Sequence, residues 1–308
     1  MIYLSAQPDS LYFAWQVEVM LTNFIDKGID PSNVHVVVGY KGNNVSREFV
    51  KLKAKHKEVN FGFIKDIRPL KNYISSVRPF ILMKYFQKNW QLKYKTIFYH
   101  DCDILFTRKP ELNIFKKDEV WYQSNTNDYL NHKYVKSKGD DVLQKMLNIA
   151  EVEEDLFKKN MFSSGGAQTI MKNVDWVFWQ KVYILSEKLF TELTELNRQK
   201  VKEDPTHHAL QIWCADMWAL LFTAWKLGHE TKIDKTLDFT WATCNVSKWH
   251  KNLIYHNAGV TPQNKNLFMK QNFTNKLPYF VNINIDRTKA NSKYYDLVKT
   301  LGKKTCLK

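Results

Sequence analysis

Regular alternation of strand-like and helix-like segments predicts an α/β protein, a mixed sheet of the nucleotide-binding kind flanked by helices. Two observations carry this. Residues 2–5, 34–38, 60–64 and 96–99 are short runs rich in β-branched and aromatic residues, as buried strands are. Between them, apolar residues recur at helical spacing, as in Phe13, Val17, Met20, Leu21 and Phe24. Such alternation argues for parallel strands with ligands gathered at their carboxyl ends.

The elements follow in order. After the first strand, Gln7-Pro8-Asp9 turns the chain into a helix over 11–25, which stops at Lys27-Gly28. The strand at 34–38 ends in Gly39-Tyr40-Lys41-Gly42, and a charged helix over 46–56 leads to the strand at 60–64. Phe80, Ile81, Met83, Tyr85 and Phe86 predict a helix over 78–90, before the strand at 96–99. Beyond it the pattern predicts a strand at 120–123, a polar, mobile loop over 125–138 and one helix over 143–157. A small-residue turn at 162–168 leads into Thr169-Ile170-Met171. Helices are expected over 174–196 and 206–228, and an apolar segment ends at 254–259. The last fifty residues are rich in Lys and Asn and show no periodicity. The expected organisation is one domain over 1–260 and a basic extension over 261–308, with no internal repeat.

Composition narrows the chemistry. With 308 residues and 44% hydrophobic content the chain can bury a substantial core. Its 46 Lys and Arg against 31 Asp and Glu give a net charge of +15, an attraction toward polyanions. Only six of the basic residues are arginines (47, 68, 78, 108, 198 and 287), so base-edge reading of DNA is not favoured, whereas phosphate contact by lysine is. Lysine-rich stretches at 41–57, 133–138 and 289–308 supply a surface for DNA or an anionic membrane. Cys102, Cys214, Cys244 and Cys306 are widely spaced, with no CxxC pair to suggest zinc or a disulfide framework. The start of the chain lacks a secretory pattern, and no apolar run approaches the roughly 18 residues a bilayer span needs. A cytoplasmic setting, the host's if the protein is viral, is expected.

The most informative stretch is Tyr99-His100-Asp101-Cys102-Asp103-Ile104-Leu105-Phe106. Asp101 and Asp103 emerge at the end of an apolar strand, and alternation places both on one face. Two carboxylates there need a cation or strong donors. Hard oxygen ligands suit Mg²⁺ or Mn²⁺, which can also grip a diphosphate. A further carboxylate, Asp216, sits inside the apolar helix segment Trp213-Cys214-Ala215-Asp216-Met217-Trp218, where burial demands a partner. Trp213, Trp218, Trp225, Trp241 and Trp249 fit core packing or stacking on sugars and bases alike.

The order of these landmarks resembles the GT-A-fold, metal-dependent glycosyltransferases, most closely the glycogenin-like retaining family. The resemblance spans about residues 1–260. It is carried by Asp101-Cys102-Asp103-Ile104-Leu105-Phe106-Thr107-Arg108-Lys109-Pro110, by Ser163-Ser164-Gly165-Gly166, and by His256-Asn257-Ala258-Gly259. It implies that Asp103 and His256 bind the metal, with Asp101 contacting ribose and metal. Arg78 and, more weakly, Lys84 would meet sugar or phosphate, and Ser164, Gly165 and Gly166 would admit the donor sugar closely. Ser5, Ala6, Gln7, Gly39, Tyr40 and Gly259 would line the nucleotide site. Asp216 would face the donor sugar or acceptor, serving as general base if the reaction inverts. The family's lysine six residues after the late histidine is Pro262 here, leaving Lys265 as the nearest substitute for diphosphate contact.

The implied activity is a hexosyl- or pentosyltransferase using a nucleotide diphosphate sugar, UDP-sugar foremost. The leading acceptor is a hydroxylated base in phage DNA; a surface glycan, lipid-linked sugar or protein is the alternative. A non-catalytic, basic nucleic-acid-binding protein is the contrasting reading. Asp103→Ala is expected to abolish turnover with little loss of fold.

Overall fold

A computed structural model describes the backbone of residues 1–306 and the side chains of residues 1–303. In chain order the elements are β1 (Ile2–Pro8), α1 (Leu11–Asp26), β2 (Val34–Tyr40), α2 (Arg47–Lys55), β3 (Asn60–Lys65) and α3 (Val77–Lys88). Then come β4 (Ile97–His100), β5 (Ile104–Phe106), β6 (Trp121–Asn125), α4 (His132–Lys136), α5 (Asp140–Ala150), α6 (Glu154–Lys159) and β7 (Gly165–Met171). The chain continues through α7 (Trp176–Glu203), α8 (Ala215–Lys226), β8 (Thr231–Ile233), β9 (Phe239–Trp241), α9 (Ser247–Lys251), β10 (Ile254–His256) and α10 (Asn291–Cys306). Among the described residues the strands fall into one mixed sheet of seven and one of three, so the expected α/β class holds.

The chain divides into two compact units. The first comprises Met1–Ile2, Ile64–Tyr99 and Asn113–Lys235. Its strands lie in the order β4-β7-β6-β8, with β6 antiparallel to β7 and parallel to β8. Helix α7 packs on α3, α5 and α8. It starts where the Asp175 carboxylate accepts the amides of Val177 and Phe178, at 3.0 and 3.1 Å, satisfying donors the helix cannot. Trp121, Trp179, Trp218, Phe86 and Phe157 are fully buried in this unit.

The second unit comprises Tyr3–Phe63, His100–Leu112 and the chain from Thr236 on. Here β1 runs parallel to β2, in register from Tyr3 opposite Val34 to Pro8 opposite Gly39. A three-stranded sheet in the order β5-β10-β9 lies in the same unit. Its core joins Trp15 and Val19 of α1 to Leu105, Tyr255, Phe268, Phe273, Tyr294 and Val298.

Several local expectations are corrected. Asp101 and Asp103 lie in the turn between β4 and β5, not in a strand. The single helix expected over 143–157 is two, α5 and α6, broken at Glu151 with φ of +52°. The acidic residues 151–155 suit the positive start of a new helix better than the negative end of the old one. Residues 125–138 hold α4, capped where Asn131 accepts the amide of Tyr134. Gly165 and Gly166 begin strand β7 rather than a turn. Helix α8 starts only at Ala215. The segment before it is pinned in an irregular path by Asn197, which bonds both backbone groups of Leu210, and by the Tyr134 hydroxyl, which accepts the Gln211 amide. The stretch read as aperiodic contains α10, which buries Tyr294, Tyr295, Val298 and Leu301.

A candidate metal centre and a buried carboxylate network

The candidate metal centre lies wholly within the second unit, and strand register assembles it. Strand β10 runs antiparallel to β5, with His256 opposite Ile104, next in sequence to Asp103. The backbone amide of Asn257 donates to the Asp103 carbonyl at 2.9 Å, locking the acidic turn to the end of β10. On its other edge β10 runs parallel to β9, with His256 opposite Trp241. The Trp241 and His256 rings stack at 6.1 Å and 11°, and Phe239 meets the imidazole edge-on at 5.2 Å. Asn23 of α1 holds β5 by accepting the Phe106 amide at 2.7 Å and donating to its carbonyl at 3.1 Å.

This framework brings Asp101, Asp103 and His256 together so that one ligand atom from each lies within 4.8 Å of the others. His256 Nε2 is 3.2 Å from Asp103 Oδ1 and 3.6 Å from Asp101 Oδ2. Adjacent ligands on an octahedral ion bonded at about 2.1 Å lie about 3 Å apart, so these separations fit a common divalent cation. Two carboxylates and an imidazole are a donor set that Mn²⁺ accepts readily. The buried Nδ1 of His256 meets no hydrogen-bond partner, so the ring's one polar engagement is toward the carboxylates.

A fourth group at this cluster escaped the sequence reading. The Lys270 ammonium bonds Asp103 Oδ2, on the side of the carboxylate away from His256. Burial works against the charged Asp103 carboxyl, but Lys270 and His256 outweigh it and hold it well below the usual carboxylate range. Burial likewise disfavours the Lys270 charge, and Asp103 reverses the effect and raises it. Lys265, the expected cation, is exposed. Gly259 has φ of +83°, and a Cβ there would come within 3.3 Å of Trp241, so glycine is required where the chain leaves the site. Ser5, Ala6 and Gln7 are buried within β1, and the Gln7 amide donates to the Val37 carbonyl at 2.9 Å. Gly39 and Tyr40 end β2.

The remaining predicted residues belong to the first unit. Asp216 enters the first turn of α8, is 8% exposed, and is fully engaged. It accepts from Arg78 Nη2 at 2.6 Å and from the Tyr73 hydroxyl at 2.7 Å. Burial first, and then the Asp216 charge, push the Tyr73 phenol well above its ordinary range. Glu187, 2% exposed, accepts the Asn72 amide at 3.0 Å and the Ser76 hydroxyl. Arg68 in turn holds Asp66 and Ser76 at 2.8 and 2.7 Å. These bonds fix the segment between β3 and α3 that presents Arg78. Sequence reading missed Tyr73 and Glu187, whose roles appear only once distant segments meet. Gly165 abuts the Ser124 backbone too closely for a Cβ, which gives it a packing reason. Ser164 is buried and donates to the Leu130 carbonyl. Lys84 lies over the Phe80 ring at 6.0 Å.

No family model matches the chain, and no curated protein matches it in sequence. Solved structures match in fold. The apo structure of the bifunctional glycosyltransferase WbbM aligns with a TM-score of 0.52 and 9% identity, over 97% of this chain and 50% of that one. The fold is shared with a glycosyltransferase. This chain spans half the length of the WbbM chain. Apo mouse xyloside xylosyltransferase 1 aligns at a TM-score of 0.39 and 9% identity, over 85% of this chain and 99% of that one. No described helix is long and apolar enough to cross a membrane.

Proposed function

We propose that this chain is a metal-dependent glycosyltransferase that moves a sugar from a nucleotide diphosphate sugar to a hydroxyl acceptor. The observation that carries the reading is the convergence of Asp101, Asp103 and His256 within a fold shared with WbbM. A bound divalent ion would neutralise the departing diphosphate, the main electrostatic demand of such a reaction.

The chain's own residues divide the work. Asp103, with its side chain 6% exposed, and His256, at 9%, are the rigid ligands, set by strand register. Asp101, at 33%, is the ligand with an open side from which to reach a ribose as well. His256 among the donors supports Mn²⁺ over Mg²⁺, since imidazole suits the softer ion. UDP-sugar is the donor implied by the family resemblance. Both oxygens of Asp216 are engaged by Arg78 and Tyr73, a poor arrangement for a general base, which supports the retaining outcome. The net charge of +15 supports a polyanionic acceptor, and hydroxymethylated DNA is the one to test first.

The test is UDP release from a panel of UDP-sugars with Mn²⁺, with hydroxymethylated DNA, plain DNA and anionic glycans as acceptors. Mn²⁺-dependent release, abolished by EDTA and by Asp103→Ala, is expected. Turnover indifferent to EDTA refutes the metal assignment. Label on glycan but on no hydroxylated DNA removes the DNA acceptor, and failure to bind any nucleotide sugar favours a non-catalytic binding protein.

A further inference from the structure

The Lys270–Asp103 contact has a consequence for the metal centre. Asp103 has two oxygens: Oδ1 faces His256 at 3.2 Å and Oδ2 is bonded by the Lys270 ammonium. The lysine side chain is 17% exposed and its carboxylate partner 6%, so solvent shields the contact little. The ammonium is therefore a close, low-dielectric neighbour of any cation held by the same carboxylate, and like charges at that range repel strongly.

The backbone that delivers Lys270 is anchored. Two residues before it, Phe268 is clamped through both its backbone groups by Asn291, whose Oδ1 accepts the Phe268 amide at 2.5 Å and whose Nδ2 donates to the carbonyl at 3.1 Å. Three residues after it, the Phe273 carbonyl accepts from the Trp15 indole at 3.1 Å. The same Asn291 Nδ2 also reaches Asn257 Oδ1 at 3.1 Å, beside His256.

We propose that Lys270 is a resident competitor of the metal: its ammonium on Oδ2 already neutralises Asp103, so an ion held through Oδ1, Asp101 and His256 binds against a like charge on the same carboxylate. Lys270 thereby sets the affinity of the site. The proposal builds on the metal reading of Asp101, Asp103 and His256, and it makes the metal-free protein stable at the expense of metal affinity.

The test uses the full chain and Mn²⁺ alone, with free ion counted by its electron paramagnetic resonance signal. Lys270→Met removes the charge and keeps the length; Lys270→Arg keeps the charge. Lys270→Met is expected to bind Mn²⁺ at least about tenfold more tightly than the wild type, and Lys270→Arg within about threefold of it. Thermal unfolding in EDTA should show Lys270→Met melting below the wild type, with the gap closing in saturating Mn²⁺. Mn²⁺ binding seen only in Lys270→Met also supports competition. Equal or weaker binding by Lys270→Met overturns the proposal and leaves the metal site standing. Absence of Mn²⁺ binding from all three proteins overturns both. If Lys270→Met fails to fold, Lys270→Gln takes its place under the same outcomes.

Discussion

Asp103→Ala should destabilise the metal-free protein substantially, contrary to the mild effect expected from sequence. The substitution leaves the Lys270 ammonium buried without its carboxylate. Breaking a buried pair from one side costs about 3–5 kcal/mol. The 17% exposure of the Lys270 side chain lets the ammonium recover some water, so about 2–3 kcal/mol is the expected loss. For a chain of this length that is a fall of about 4 °C in Tm. The assay is urea unfolding in EDTA of wild type, Asp103→Ala, Lys270→Met and the double variant. The double variant should recover about 1–2 kcal/mol relative to the sum of the single losses, since it leaves neither charge unpaired. Additive losses, or a loss below about 0.5 kcal/mol for Asp103→Ala, would refute the claim that these two charges hold each other in the core.

Other perturbations probe the frame around the site. Gly259→Ala forces an L side chain to φ of +83° and presses its Cβ onto Trp241, so Tm should drop by the equivalent of about 1–2 kcal/mol, and Mn²⁺ binding should weaken as Trp241 shifts against His256. Asp216→Asn keeps shape but removes the charge that orients Arg78; transfer is expected to fall by about tenfold through misplacement of Arg78 while near-ultraviolet circular dichroism stays native, and unchanged kcat would assign the network to structure alone. Burial holds the His35 imidazole at about 4, below its ordinary 6.5. The unfolded chain therefore takes up that proton first, and stability fully present above pH 6.5 is lost as pH falls toward 4, by up to about 3 kcal/mol. Urea midpoints across that range should show the slope, and His35→Gln should remove its share and leave that of the buried His100.

Much of the first hundred residues was legible because short apolar runs and helical spacing alternate cleanly there: β1, α1, β2, α2, β3, α3 and β4 all fall where periodicity puts them. Asp101 and Asp103 stood out as two carboxylates after an apolar run, and His256 came from the family resemblance; the structure brings the three side by side. What the spacing did not show is the turn that presents the pair. Lys270 was invisible because its partner lies far away in sequence and the lysines around it are many. Tyr73 and Glu187 were missed for the same reason, as their bonds join segments more than a hundred residues apart. The helix after residue 291 was readable in principle from Tyr294, Tyr295, Val298 and Leu301, but the surrounding Lys and Asn masked that stripe.

The core of the second unit unites segments far apart in sequence. Trp15 and Val19 pack with Leu105 and with residues from Ala242 to Leu301, and Glu18 is bonded by the Tyr279 hydroxyl. This part of the core therefore closes across a long stretch of sequence, as the bond from the Trp15 indole to the Phe273 carbonyl, 258 residues on, shows. Contacts so distant in sequence form slowly, so the apolar surface of this unit stays open longer during folding than that of a unit built from local contacts.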